Sequence, residues 1–588
     1  MSLSPVVARQ TIIARLLLCG LLLLGGTGSS WAVDENRAPE AATGSRSNSA
    51  VTASRYLVVA ADPQAAEAGR RILAAGGSAV DAAIAVQMVL NLVEPQSSGI
   101  GGGAFMLHWT HRTGQLISYD GRETAPAAAT PDLFLNNDGA PMKMLQAIVG
   151  GRSVGTPGVL AMLELAHQRH GRLPWRQLFT DAIRLADRGF IVSPRLAELL
   201  QKNSNPGLLE PGAAHDYFYP AGQALTAGSR LTNPAYAKLL RRIAIEGPTA
   251  FYRGKTAQRM VDAVQRHRNP GPLRLSDLAH YQPKERPPLC GPYRGHRICS
   301  MAPPSSGGVT LLQMLALLEP FDLAAFRPVS VEAAHLFAQA GRLAFADRAL
   351  YLADSDFVPV PLKALLDPDY LRQRARLINP QHDMGVAAAG QLSLLTQAED
   401  RSPELPSTSH FSIIDRDGNA VSMTSSIETA FGSTLMVDGF LLNNQMTDFS
   451  FLPEQNGQPV ANRIAGGKRP RSSMTPAMVF DEQGELRWIL GSPGGARIIP
   501  FVAQSLIALI DWRLDPQRTV DLPHYQNRND RTELEAGTAA VTLREPLEAL
   551  GHPVDVRDLS SGIHLIERNP TGLIGAADSR REGSAAGR

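Results

Sequence analysis

The stretch Ser407-Thr408-Ser409-His410-Phe411-Ser412-Ile413-Ile414 decides the fold, because a run typical of a β-strand begins abruptly at a threonine. Residues 387–407 form a composition break that ends in Glu404-Leu405-Pro406-Ser407. After the strand predicted for 410–415, Asp417-Gly418-Asn419 indicates a tight turn, and 420–424 predicts a second strand. The boundary between residues 407 and 408 is the sharpest change in the chain.

Length and composition indicate a large, near-neutral globular protein. The chain has 588 residues, 57 Lys and Arg against 55 Asp and Glu, 44% apolar residues and 19% charged residues. This composition excludes global disorder, and a net charge of +2 offers no electrostatic basis for binding nucleic acid. Three cysteines are too few for a disulfide scaffold or a cysteine-rich zinc site.

The N-terminus predicts export. Residues 1–15 carry two arginines and no acid, residues 16–26 are apolar, and Ser30-Trp31-Ala32 resembles a cleavage site. We therefore expect a signal peptide over 1–32, a periplasmic or secreted mature protein, and no membrane span in that mature protein. An uncleaved N-terminal anchor is the alternative. Residues 33–55, rich in Ala, Ser, Asn and Thr, predict a disordered linker.

Periodicity predicts both helices and strands between this linker and the 407/408 boundary. Helical spacing covers 64–75, 79–91, 157–170, 174–188 and 310–318, whereas 105–118 and 297–301 indicate strands. No internal repeat is apparent.

Four short motifs resemble functional sites but lack the context that each needs. Residues 151–155 match the nucleophile elbow G-x-S-x-G, yet Gly155 and the following Pro-Gly predict a loop instead of a helix. Residues 99–103 lack the third glycine of a dinucleotide loop, and 415–419 place glycine wrongly for a calcium loop. His167 and His170 lack a zinc-binding context. We therefore predict no metal site.

Nine ordered sequence blocks carry a resemblance to a known family. They are 95–103, 121–123, 303–308, 407–412, 442–446, 467–470, 472–474, 491–495 and 575–578. In this order and spacing the sequence resembles the γ-glutamyltranspeptidases, which are N-terminal nucleophile hydrolases, from about Tyr56 to about Arg581. The resemblance implies an α+β fold, a four-layer αββα sandwich, divided by self-cleavage into a large subunit, 56–407, and a small catalytic subunit, 408–588. It implies no cofactor.

Thr408 is the expected nucleophile. A threonine inside a chain lacks a base, but cleavage between Ser407 and Thr408 would give Thr408 a free α-amine with an ordinary pKa near 7.7–8. That amine can accept the hydroxyl proton, so one residue supplies both nucleophile and base. The cleavage itself resembles an autocatalytic N→O acyl shift, in which the Thr408 hydroxyl attacks the Ser407 carbonyl.

The resemblance assigns further roles around the nucleophile. Gly494 and Gly495, which precede a predicted apolar helix over 496–509, suit an oxyanion hole because unobstructed N–H groups at a helix start attract anions. The Ser426 hydroxyl corresponds to one that hydrogen-bonds the nucleophile. The α-carboxylate and α-ammonium of a γ-glutamyl group would be held by Arg122, Glu428, Gln445, Asp448, Ser472 and Ser473.

Two departures from the family pattern concern the segment between Asp448 and Ser472. It is shortened and contains no tyrosine, so the aromatic lid of many members is expected to be incomplete. Arg471 stands where the family commonly has an apolar residue. Both departures affect which acceptor and which γ-glutamyl donor we expect the enzyme to use. They do not change the expected fold or the expected nucleophile.

The expected reaction transfers a γ-glutamyl group from glutathione or a related donor to water, an amino acid or a dipeptide. A glutaryl or cephalosporin acylase of the same fold is the first alternative, since such an enzyme needs no ammonium clamp. An exported binding protein that kept the fold without self-cleavage is the second. The large and small subunits of one precursor would be each other's partners.

Cys290 and Cys299 are the cysteines that remain after removal of a signal peptide. If Arg294-Gly295 forms a two-residue hairpin turn, Tyr293 faces His296 and the pairs step outward to Cys290 facing Cys299. The Cα atoms of such a non-hydrogen-bonded pair lie about 4.5 Å apart, which permits a disulfide. An oxidising compartment favours this bridge over two reduced core cysteines.

Overall fold

Two stacked β-sheets position every element that follows. The structure, a computed structural model, describes residues 48–392, 397–400, 402, 405 and 407–588. The predicted signal peptide, 1–32, therefore lies outside the described residues, as does most of the predicted linker.

The strands are β1 Val51–Ala53, β2 Leu57–Ala60, β3 Gly103–Thr110, β4 Gln115–Gly121, β5 Phe190–Ile191, β6 Arg230–Leu231, β7 Lys284–Arg286, β8 Leu289–Tyr293, β9 His296–Ser300, β10 Ser409–Ile414, β11 Ala420–Ser426, β12 Met436–Val437, β13 Phe440–Leu441, β14 Glu454–Gln455, β15 Gln458–Pro459, β16 Ala477–Phe480, β17 Leu486–Leu490, β18 Tyr525–Asn527, β19 Thr532–Glu535, β20 Val554–Arg557, β21 His564–Asn569, β22 Gly572–Ala577 and β23 Ser584–Gly587.

The α-helices are α1 Pro63–Ala74, α2 Ala79–Val93, α3 Met144–Ile148, α4 Val159–His170, α5 Thr180–Arg188, α6 Pro194–Gln201, α7 Ala213–Phe218, α8 Pro234–Glu246, α9 Thr249–Tyr252, α10 Gly254–Arg266, α11 Leu275–His280, α12 Gly307–Leu318, α13 Val331–Tyr351, α14 Leu362–Leu365, α15 Pro368–Ala375, α16 Ile498–Ile510, α17 Pro516–Val520 and α18 Arg544–Ala549. Short 3-10 helices cover Gly151–Ser153, Trp175–Phe179, Pro206–Leu209, Pro220–Gly222, Leu323–Ala325, Gln445–Asp448, Gly495–Arg497 and Ala539–Leu543.

Each large sheet has seven strands and draws them from both sides of residue 407. The first has the order β1-β22-β21-β17-β16-β9-β8, and the second has the order β23-β2-β10-β11-β3-β4-β7. Cleavage between 407 and 408 would thus divide the chain but not the sheets. The predicted large and small subunits are interleaved parts of one fold.

Side-chain alternation along the second sheet creates two cores. In β2, Leu57 and Val59 belong to the apolar cluster shared with the first sheet, whereas Val58 and Ala60 belong to the cluster formed with α1 and α2. Since successive side chains of a strand point to opposite faces, one face packs on the other sheet and one on helices. Helices α12 and α16 contribute to the first sheet's core. The predicted four-layer αββα sandwich is confirmed.

Three sequence predictions are wrong in detail. Residues 105–118 form two strands, β3 and β4, because a turn through Gly114 at φ +64° reverses the chain. The linker predicted to be disordered over 33–55 ends earlier than expected, because Val51–Ala53 form β1 and pair with β22. The helix expected over 174–188 begins as a 3-10 turn at Trp175 and becomes α-helical at Thr180.

Candidate active site

Thr408 immediately precedes β10, between the two sheets. β10 pairs with β11 from Ser409 onward and with β2 only from Phe411 onward, so the residues that follow Thr408 are held by β11. The exposed fraction is 1% for Ser407 and 3% for Thr408. A peptide bond in this position is removed from bulk water, which strengthens every polar contact made to it.

Two hydroxyl groups lie against the Ser407 carbonyl in the uncleaved chain. Thr408 Oγ1 is 2.6 Å from that oxygen, and Ser426 Oγ is 2.8 Å from it. Ser426 Oγ also accepts the Glu428 N–H at 2.8 Å, so its own proton is directed at the carbonyl. The structure therefore brings the predicted nucleophile and Ser426 together on the expected scissile group.

The turn with Gly494 and Gly495 lies close to the start of β10. Gly491 packs on the His410 ring, and Ser492 Oγ accepts the Gly562 N–H at 3.2 Å. Gly494 and Gly495 have φ angles of +139° and +58°, a region that favours glycine. A 3-10 turn, Gly495–Arg497, precedes α16, so the regular helix begins two residues later than expected. The pair occupies a helix start, as an anion site requires.

Four of the predicted substrate-binding residues form one hydrogen-bonded cluster. Gln445 Nε2 donates to Glu428 Oε2 at 2.7 Å and to Asp448 Oδ2 at 2.8 Å. Asp448 in turn pairs with Arg122 Nη2. The exposed fraction of Arg122 is 1%, and those of Glu428 and Asp448 are 9%. The cluster thus places a buried cation beside two carboxylates, as a zwitterionic ligand requires.

Glu123 is a further buried carboxyl group beside Arg122. Its Oε2 lies 3.6 Å from Arg122 Nη1, and its side chain is fully buried. Burial raises the pKa of Glu123 to about 8, although the neighbouring Arg122 opposes the shift.

Ser472 and Ser473 lie next to this cluster but do not hydrogen-bond Arg122. Arg122 Nη2 donates to the Arg471 carbonyl at 3.0 Å, one residue before the serine pair. Ser473 Oγ accepts from Arg348 Nη2 at 2.7 Å, and Ser306 Oγ donates to the Ser472 carbonyl at 2.8 Å. Arg348 was not among the predicted site residues, because a buried arginine inside the long helix α13 carries no local sequence signal.

Arg471, the residue that departs from the family pattern, contacts the segment that precedes the predicted cleavage site. Arg471 Nη2 is 3.1 Å from Asp400 Oδ2, and Asn462 Nδ2 donates to the same oxygen at 2.8 Å. Asn462 also donates to the Asp448 carbonyl at 2.7 Å. Asp400, which belongs to the composition break over 387–407, is therefore linked through Asn462 to Asp448, which that composition did not indicate.

The shortened segment folds as a small hairpin. Strands β14 and β15 pair there, Ala398 bridges to Val460, and Lys468 Nζ donates to the Ala461 and Arg463 carbonyls at 2.6 and 2.9 Å. Burial lowers the pKa of Lys468 to about 8. These contacts hold the segment that the sequence analysis identified as an incomplete lid.

The rejected motifs occupy structural positions. Ser153 Oγ donates to the Ile148 carbonyl at 2.6 Å within a 3-10 turn, and Gly102 lies so close to the Ser426 carbonyl that a Cβ would be 2.0 Å from it. Asp415 accepts backbone N–H groups in the β10–β11 hairpin turn. Over the described ranges, no group of three or more His, Cys, Asp or Glu side chains could hold a metal ion. No helix there is long and apolar enough to cross a membrane.

The hairpin register predicted for the two cysteines is confirmed. Tyr293 pairs with His296 and Cys290 with Cys299 around the Arg294-Gly295 turn, whose φ angles are +47° and +78°. The two Cα atoms are 4.1 Å apart, and the disulfide is formed.

Comparison with known proteins gives one consistent family. The family model described as gamma-glutamyltranspeptidase matches residues 65–588. A glutathione hydrolase proenzyme of Bacillus subtilis (strain 168) is 38% identical over 547 residues, 90% of this chain and 91% of its own length. An acylase ACY 1 proenzyme of Pseudomonas sp. (strain V22) is 37% identical over 543 residues, 91% of this chain and 93% of its own length. The crystal structure of a cephalosporin acylase from Bacillus halodurans superposes with a TM-score of 0.80 at 27% identity, covering 92% and 97% of the two chains.

Proposed function

Because this chain belongs to the γ-glutamyltranspeptidase family, we propose that Thr408, freed by self-cleavage, transfers the γ-glutamyl group of glutathione or a related donor to water, an amino acid or a dipeptide. The chain is an enzyme of γ-glutamyl transfer and hydrolysis. The observation that carries the assignment of Thr408 is the contact of its hydroxyl and that of Ser426 with the Ser407 carbonyl.

Self-cleavage begins with attack on the scissile group. The Thr408 Oγ1 forms a bond to the Ser407 carbonyl carbon, the Ser407–Thr408 C–N bond breaks, and the hydroxyl proton ends on the new amine. Ser426, held by the Glu428 N–H, donates to the carbonyl oxygen as negative charge develops there. Water then hydrolyses the ester, which returns the hydroxyl to Thr408 and leaves a carboxylate on Ser407.

The mature enzyme uses the same hydroxyl on the substrate. The free α-amine of Thr408 takes the hydroxyl proton as Oγ1 attacks the γ-carbonyl carbon of the donor. The N–H groups of Gly494 and Gly495 supply the oxyanion hole. The proton passes to the leaving amine, and water or an acceptor amine then attacks the γ-glutamyl ester and restores Thr408.

The substrate cluster matches the α-carbon of a γ-glutamyl group. Its α-carboxylate would take Arg122 as a bidentate partner, while Asp448 and Glu428, joined by Gln445, would take the α-ammonium. In the uncleaved chain Arg122 and Asp448 pair with each other. Binding then exchanges an internal ion pair for two pairs to substrate, so neither charge is left buried alone. Ser472 and Ser473 would complete the carboxylate side.

Acylase activity is the second candidate, favoured by the acylases among the similar proteins. A glutaryl group has no α-ammonium, so it would leave Asp448 and Glu428 without their ligand. We propose that γ-glutamyl-anilide is turned over in preference to glutaryl-anilide. The preference should shrink in Asp448→Asn, because that change removes a partner that only the γ-glutamyl substrate uses.

The decisive experiment compares the wild-type chain with Thr408→Ala. The wild type should run on a denaturing gel as fragments of about 40 and 19 kDa, their shares by residue of a 63.1 kDa chain without residues 1–32. We propose export, so N-terminal sequencing should find Val33 on the larger fragment and Thr408 on the smaller. Thr408→Ala should stay one chain without turnover.

A matched control and a clear contrary result complete the test. Thr226→Ala changes an exposed threonine and should be cleaved normally. Cleavage of Thr408→Ala at the same bond would eliminate the self-processing mechanism, and an intact wild-type chain would favour an unprocessed binding protein.

A further inference from the structure

The turn Glu94–Ser98, which follows α2, is fastened to both residues that flank Thr408. Ser407 Oγ donates to the Gln96 carbonyl at 2.8 Å. On the other side of the nucleophile, Ser409 Oγ donates to Glu94 Oε2 at 2.9 Å and accepts from Ser98 Oγ at 3.1 Å. All of these side chains are buried. One turn therefore sets the position of the scissile bond from both ends.

The turn is itself rigidly held. Its Ser97 and Ser98 N–H groups donate to the Glu94 carbonyl at 2.9 and 3.2 Å, and Arg195 Nη1 is 2.5 Å from Glu94 Oε1. Arg195 and Glu94 are 1% and 2% exposed, so this ion pair is poorly accessible to water. A rigid support matters because a flexible one could not fix the orientation of a neighbouring peptide group.

The same turn also holds the segment that carries Ser426. The Ser97 carbonyl accepts the Ile427 N–H at 3.2 Å, and the Gln96 carbonyl accepts the Phe431 N–H at 3.0 Å. The Gln96 carbonyl is thus shared between Ser407 and the segment after Ser426. The Gln96 carbonyl therefore helps to position the scissile Ser407 carbonyl against the Ser426 hydroxyl.

We propose that Ser407 is a positioning residue for self-cleavage, through the hydrogen bond from its hydroxyl to the Gln96 carbonyl. This bond restrains rotation of the Ser407 backbone and keeps its carbonyl between the Thr408 and Ser426 hydroxyls. The inference rests on the proposed self-cleavage. Its distinctive consequence is that Ser407 acts only once, because after cleavage it ends the large fragment and is no longer joined to Thr408.

The test follows cleavage and turnover separately in Ser407→Ala. Precursor made by cell-free synthesis is pulse-labelled, and the small fragment is measured over time on denaturing gels. Loss of one buried hydrogen bond should slow cleavage about 10-fold. The turnover number of the matured fraction, per titrated active site, should equal that of the wild type.

Two matched variants sharpen the comparison. Ser402→Ala makes the same change in the same preceding segment without touching Gln96, and it should mature at the wild-type rate. Ser407→Cys keeps the size of the side chain and a weaker donor, so its rate should lie between those of Ser407→Ala and the wild type.

Each contrary result has a distinct meaning. Wild-type cleavage of Ser407→Ala would overturn the positioning role, and so would an equal loss of cleavage and turnover, which indicates general damage to the site. Cleavage of Thr408→Ala would instead overturn the proposed function, so the two failures are distinguishable.

Discussion

At the residue scale, the proposed recognition of a donor depends most on the buried cation Arg122. It pairs with Asp448 and donates to the Pro470 and Arg471 carbonyls. A guanidinium offers several donors in a fixed plane, which no other side chain reproduces. This geometry makes Arg122 the most informative position for a binding measurement.

We predict that Arg122→Ala raises the KM for a γ-glutamyl-anilide at least about 100-fold, because a charged bidentate contact to the α-carboxylate is lost. Self-cleavage should continue, since Arg122 makes no contact with the Ser407 carbonyl. Steady-state kinetics measures the effect. Arg266→Ala, at a guanidinium 80% exposed, is the control. An unchanged KM in processed Arg122→Ala would remove Arg122 from the proposed clamp.

At the element scale, the β8–β9 hairpin is closed by its disulfide at the edge of the first sheet. The cysteines are nine residues apart, so the loop that the bridge closes is short. A short loop removes little entropy from the unfolded chain, and the hairpin is also held by pairing of β9 with β16.

We therefore predict that Cys290→Ser/Cys299→Ser lowers the free energy of unfolding by about 2–3 kcal/mol at most and leaves self-cleavage intact. Denaturant unfolding measures the change. Thiol labelling of the denatured, unreduced mature wild type should find no free thiol. Two labelled thiols per chain would show that the bridge is absent from the mature protein.

At the scale of the whole molecule, the two fragments share both sheets. β10 lies between β2 and β11, and β16 lies between β9 and β17, so strands of the large fragment contact strands of the small one in each sheet. Separation would break backbone hydrogen bonds along these strands and expose the intersheet core.

We predict that the cleaved fragments co-elute in one size-exclusion peak under native conditions and separate only when the protein unfolds. A chain consisting of residues 408–588 alone should be insoluble, because β10 and β23 would lose their neighbour β2 and β11 would lose its neighbour β3. Elution of two separate folded fragments in buffer would contradict this interleaved arrangement.

Local and ordered features of the sequence determined much of the fold and led to the choice of Thr408 as the proposed nucleophile. Periodicity predicted the helices α1 and α2 and a strand over 410–415, where the structure has β10 from Ser409. The register of Cys290 and Cys299 followed from the two-residue turn at Arg294-Gly295. All of these features depend on neighbouring residues. Thr408 is proposed as the nucleophile because the sequence blocks around it occur in a recognisable order. The turn within 105–118 was missed because Gly114 interrupts a run whose two halves have the same strand pattern.

Only the tertiary structure decided which distant side chains share a buried contact. Arg348 donates to Ser473, and Ser407 donates to the Gln96 carbonyl, each across more than a hundred residues of sequence. Asp400 pairs with Arg471 across a shorter separation. Such pairs leave no periodic signal, because the energy of a buried polar contact depends on the spatial approach of its two groups and on their exclusion of water, not on their spacing along the chain.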